Sequence, residues 1–143
     1  MRKLVITQNI TLDGSIEMLG DWFDPQSQDE ELLAETHRQD ADCDAMLLSN
    51  VLHDWDEPVV RQLLSKSFDA LPSPGLVVIH DAFLNAARNG PLHVAEYSVL
   101  LMHSSEGRCY ATSEMERYLN DAGFRDVRYL DTAAARGVMT ARK

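Results

Sequence analysis

"DAMLLSNVLHDWDEP", residues 44–58, is the stretch whose reading decides the fold. Ala45 to Asn50 is nearly all apolar, which reads as a strand buried on both faces, as in a parallel sheet. Pro58 suits the first turn of a helix, where its missing N–H costs nothing. Asp56 or Glu57 would serve as its cap and dipole partner. The stretch is thus a β-loop-α unit with "HDWDE" in the loop. Open sheets of such units bind ligands at the carboxyl ends of their strands. His53 would stand there, and an ordinary imidazole pKa of about 6.5 suits a general base. Asp54 could orient its ring. The plainer reading is that Asp54, Asp56 and Glu57 are acids favoured at a helix start, with Trp55 packed beneath.

The rest of the chain continues the alternation. "KLVITQ", Lys3 to Gln8, reads as a β-branched strand, followed by a turn at Asp13-Gly14. A long loop anchored by Trp22 and Phe23 leads to a helix over Asp29 to Arg38. After Pro58, Val59, Val60, Leu63, Leu64 and Leu71 keep a helical period. "LVVIH", Leu76 to His80, is a third buried strand. Leu92 to His103 is a helix with Val94, Tyr97, Leu100 and Leu101 on its apolar side. Ser113 with Glu116 forms a capping box, and Gly123 stops that helix. "FRDVRYL" and "GVMTARK" close the chain as strands. The expected fold is α/β: a three-layer Rossmann-like sandwich of about five strands in the order 1-2-3-5-4, mostly parallel with an antiparallel last strand. A single domain spans residues 1–143.

Composition narrows the function. The 143 residues carry a formal net charge of -10, which argues against nucleic acid or an anionic membrane as partner. Cys43 and Cys109 lack metal or disulfide spacing and read as free thiols of a reducing, cytoplasmic compartment. No His/Asp/Glu set shows metal spacing, so no metal is expected. "MRKLVITQNI" is too short and polar for a signal peptide, and no run approaches the ~20 apolar residues of a membrane span.

From about Ala45 onward, three blocks carry a family likeness: "LLSNVLHDWDEPVVRQLLSKSFDALPSPG", "LVVIHDAFLN" and "GPLHVAEYSVLLMHSSEGRCYATSEMERYLNDAGFRDVRYLDTAAARGVMTARK". They resemble the C-terminal half of bacterial S-adenosylmethionine-dependent O-methyltransferases acting on small hydroxylated or aromatic substrates. The resemblance implies His53 as the base that deprotonates the acceptor hydroxyl, with Asp54 beside it. It implies His80, Asp81, Met102, His103 and Glu106 as substrate-binding residues, and Ser49 and Asn50 at the S-adenosylmethionine site. A second acid that partners the family's histidine falls near Cys109. The Gly-rich turn that cradles the cofactor has no counterpart in the sequence: Gly14 and Gly20 are isolated.

Residues 1–45 resemble something else. "MRKLVITQNITLDGSIEMLGDWFDPQSQDEELLAE" is similar to the start of dihydrofolate-reductase-like proteins, the group that includes the riboflavin-biosynthesis reductase domain. The two likenesses meet at "DAMLLS", so the chain reads as a chimera. Three functions follow as expectations. The first is a methyltransferase-like protein impaired by the missing glycine-rich turn. The second is a non-catalytic or engineered α/β domain. The third is an NADPH-dependent reductase. An exposed strand edge implies a homodimer or a strand-exchanged oligomer.

Overall fold

The computed structural model describes residues 44–143. The strand expected over Lys3–Gln8, the turn at Asp13-Gly14, the loop around Trp22 and the helix over Asp29–Arg38 lie outside the described residues. Within them the chain forms β1 (Ala45–Ser49), a 3-10 turn (Leu52–Asp54), α1 (Glu57–Ala70), β2 (Leu76–Asp81), α2 (Leu92–Ser104), α3 (Thr112–Asp121), β3 (Arg125–Asp131) and β4 (Gly137–Arg142).

The four strands lie in the order β1-β2-β4-β3. β1 and β2 run parallel, with Leu47 opposite Val78. β4 is antiparallel to β2, with Met139 opposite Ile79, and antiparallel to β3. The five-strand order 1-2-3-5-4 therefore does not stand as expected: four strands are described, and the one placed first lies outside them. The short β1-α1-β2 crossover follows from local chemistry. Asp56 caps α1 by accepting the Val59 N–H at 3.1 Å, Pro58 occupies its first turn, and Glu57 pairs with Arg61 one turn on at 2.8 Å.

Burial alternates along the strands. Val77, Ile79 and Asp81 of β2 are buried with Met139 and Ala141 of β4, while Leu76, Val78 and His80 are half-buried. The buried face packs on Val60 and Leu64 of α1 and Met115, Tyr118 and Leu119 of α3, with Phe124 and Leu71 completing the core. β1 is half-buried throughout. One expectation is thereby corrected: neither strand is fully buried on both faces, since side chains alternate between faces along β2 and only one set enters this core, while β1 is half-buried throughout.

The capping box is also corrected. α3 begins at Thr112, so the third helical residue is Glu114, not Glu116. Its carboxylate accepts the Ala111 N–H at 2.9 Å, while the Ser113 hydroxyl donates to the Ala86 carbonyl. Gly123 ends the helix with φ +109°, and a Cβ there would meet the Phe68 ring at 2.8 Å, so both backbone angle and space demand glycine.

Candidate active site

The end of β1 and the end of β2 face the same corner. Leu52, fully buried, pins the 3-10 turn into the core. The next residue, His53, is 5% exposed. Two other segments hold the turn from behind. The Tyr110 hydroxyl donates to the Trp55 carbonyl at 2.7 Å. Gly107, buried, lies so close to the backbone of His53, Asp54 and Trp55 that a Cβ would overlap it.

Asp81, the last residue of β2, is 3% exposed. Its Oδ1 accepts from His53 Nδ1 at 2.5 Å and from the Ala82 N–H at 2.8 Å. A carboxylate on Nδ1 fixes the neutral tautomer with its proton there and leaves Nε2 as the acceptor. Two groups face Nε2: the Tyr97 hydroxyl at 3.4 Å and Asp54 Oδ1 at 3.5 Å. The Tyr97 and His53 rings meet edge to face, with centroids 5.6 Å apart. Arg136, between β3 and β4, places its guanidinium 5.0 Å from the Tyr97 ring centroid.

The electrostatics match the geometry. Burial pulls the His53 pKa down, but the hydrogen bond and charge of Asp81, helped by Asp54, outweigh it, and the net shift is upward from 6.5. Burial raises the Asp54 carboxyl, partly offset by His53. Cys109 is fully buried, and burial pushes its thiol up to about 11. The position where the resemblance expects a second acid therefore holds a neutral thiol, and Asp54 is the second carboxylate beside the imidazole.

The expected site residues separate into two groups. His53, Asp54 and Asp81 come together, with Asp81 as the partner of the base. That engagement commits Asp81 Oδ1 to Nδ1 and a backbone N–H. His80, one residue earlier in β2, points to the other face, where its Nδ1 lies 3.1 Å from the Ser49 hydroxyl. Asn50 is exposed at φ 52° and donates its N–H to the His80 carbonyl at 2.9 Å. Met102, His103 and Glu106 are exposed and none hydrogen-bonds to His53; His103 Nδ1 donates to the Val99 carbonyl of its own helix.

Tyr97 and Arg136 were not singled out by sequence. Tyr97 sits at helical spacing among apolar residues, and nothing local to Arg136 points to a site. Among the described residues no group of three His, Cys, Asp or Glu could hold a metal ion, and no helix is long and apolar enough to cross a membrane.

The Ser49 hydroxyl at the end of β1 is taken by His80. The glycines of the described residues, Gly75, Gly90, Gly107, Gly123 and Gly137, all fall outside the turn that follows β1. Among the described residues the turn after β1 therefore lacks the glycines that let a backbone approach a nucleoside closely.

The described site is a buried histidine–carboxylate pair at adjacent strand ends of an α/β sheet. The family model of the O-methyltransferase domain matches residues 36–125, and the chain belongs to that family. The match starts at residue 36, inside the segment 1–45 that the sequence reading set apart as reductase-like, so residues 36–45 fall on the methyltransferase side. The chain is 39% identical over 102 residues to 3-hydroxy-5-methyl-1-naphthoate 3-O-methyltransferase of Streptomyces sahachiroi, covering 70% of this chain and 30% of that protein. It is 32% identical to acetylserotonin O-methyltransferase of Gallus gallus, over 71% of this chain and 30% of the relative. Among solved structures, an O-methyltransferase family 2 protein of Planctomyces limnophilus in complex with apigenin matches with TM-score 0.68 and 39% identity, over 70% of this chain and 30% of that one. Human N-acetylserotonin methyltransferase in complex with SAM matches with TM-score 0.67 and 31% identity, over 70% and 29%. The chain thus spans about 30% of the length of these relatives.

Proposed function

We propose that this chain carries the acceptor-activating part of an O-methyltransferase site for small aromatic hydroxyl compounds, with methyl transfer by the chain alone impaired. The observation that supports it most is the buried His53–Asp81 pair, 2.5 Å apart, with Nε2 left as proton acceptor. Asp81 holds the ring and stabilises the imidazolium as the proton arrives. His53 takes the proton from the acceptor hydroxyl, leaving the oxygen as nucleophile. The relatives' substrates, a hydroxynaphthoate and acetylserotonin by their names, are small aromatics, in keeping with the substrate class. S-adenosylmethionine, bound to the human relative, is the methyl donor of this reading. The impairment in this reading rests on the lack of a glycine-rich cofactor turn in the sequence, where Gly14 and Gly20 stand isolated.

Calorimetric titration with S-adenosylhomocysteine tests the impairment. No heat and no thermal shift at millimolar ligand is the expected result; a saturating isotherm would restore the full activity. The same reading includes self-association as a homodimer or strand-exchanged oligomer. It is favoured by the exposure of Leu92, Val99, Leu100 and Met102 along α2. A sharp monomer in ultracentrifugation at high concentration would remove that part.

A further inference from the structure

We propose that the Tyr97 hydroxyl occupies the place of the acceptor hydroxyl in the resting protein, so that Tyr97 is a positioning residue which an incoming phenol must displace. The proposal rests on His53 being the base. Nδ1 is committed to Asp81, so Nε2 is the nitrogen open to an acceptor. The donor facing it is a phenol: Tyr97 Oη, 3.4 Å away, on a half-buried side chain. Asp54 Oδ1, at 3.5 Å, supplies a charge but no hydroxyl.

The length of the contact makes displacement cheap. A full hydrogen bond spans about 2.7–3.2 Å, so an acceptor hydroxyl that reaches normal distance wins the exchange. Tyr97 also holds its own proton. Burial, with Asp81 and Asp54 nearby, raises its pKa against the opposing pull of Arg136, so it stays a neutral donor. The arrangement selects acceptors that resemble what they replace: a flat ring carrying one hydroxyl, able to meet the His53 ring edge to face. Arg136, stacked on the far ring, ties the placeholder to the loop between β3 and β4. When an acceptor takes the position, its O–H bond breaks, the proton passes to Nε2, and the electron pair stays on the acceptor oxygen.

The test compares the wild-type chain with Tyr97→Phe and His53→Gln, using para-nitrophenol as probe because its phenolate absorbs in the visible. Tyr97→Phe keeps the ring and removes the hydroxyl. It should bind the probe about three- to tenfold more tightly, with the bound-phenolate band retained; unchanged or weaker binding overturns the proposal. In His53→Gln the phenolate absorbance in excess of that of the free probe at the same pH should vanish. If it persists, the base reading fails, separately from the placeholder. Nitrogen NMR of the resting protein supplies a readout without any ligand. The His53 Nε2 resonance should move when the Tyr97 hydroxyl is removed, and an unmoved resonance overturns the proposal whether or not the phenol binds.

Discussion

Asp81 and Glu114 are both buried carboxylates, 3% and 4% exposed, and they lead opposite lives. Glu114 is clamped by partners that never lose their charge. Arg108 donates at 2.8 and 3.0 Å, Arg88 at 2.5 Å, and the Ala111 N–H at 2.9 Å. Burial works against its charge, but these donors win and hold its pKa down to about 2. Its site is saturated, and it joins the start of α3 to two loops. Asp81 faces one titratable partner, and that partner keeps a second nitrogen turned toward a hydroxyl. The difference teaches that burial and a short contact do not by themselves mark chemistry. What marks it is a partner that can change its charge and has an open face.

The comparison breaks most sharply at Asp81. Asp81→Asn should cut His53-dependent phenol deprotonation by about 100-fold or more, because the amide no longer stabilises the imidazolium. Its His53 pKa should fall below 6.5, since burial then acts without its counterweight. Histidine NMR and the para-nitrophenol titration read both. Glu114→Gln should leave that titration unchanged while lowering unfolding stability by about 1–2 kcal/mol in urea, since the buried carboxylate gives up charged hydrogen bonds from the exposed Arg88 and half-exposed Arg108. Loss of phenol deprotonation in a folded Glu114→Gln would erase the distinction.

Gly107→Ala sharpens it further. The added methyl overlaps the backbone of His53 to Trp55, so the chain should lose about 1–3 kcal/mol and His53 NMR signals should shift more than those of α3.

Proton linkage gives the smallest effect, with opposite signs at the two sites. The raised His53 pKa contributes stability that is full below the unfolded value of 6.5 and is lost as pH rises through the folded value. The lowered Glu114 pKa contributes stability present above the unfolded value of 4.5 and lost as pH falls toward about 2. Urea midpoints against pH should therefore decline on both sides. His53→Gln should flatten only the alkaline limb.

Much of this corner was legible in the sequence. The apolar run Ala45–Asn50, Pro58 and the "HD" after "LVVI" place His53 and Asp81 at adjacent strand ends, because parallel strands joined by one helix bring those ends together. The pairing itself was not legible: sequence shows that Asp81 is near a ligand edge, not that its oxygen faces Nδ1 rather than a substrate. Tyr97 was hidden because aromatic residues at helical spacing are ordinary core. Met102 and His103 on α2 and Glu106 just after it are exposed, and their substrate role rests on the resemblance alone.

The most direct measurement is an NMR pH titration of the His53 imidazole in the intact chain. The structure predicts a pKa above 6.5, with the neutral ring carrying its proton on Nδ1 against Asp81. A pKa below 6.5, or a neutral ring protonated on Nε2, would contradict His53 as the base.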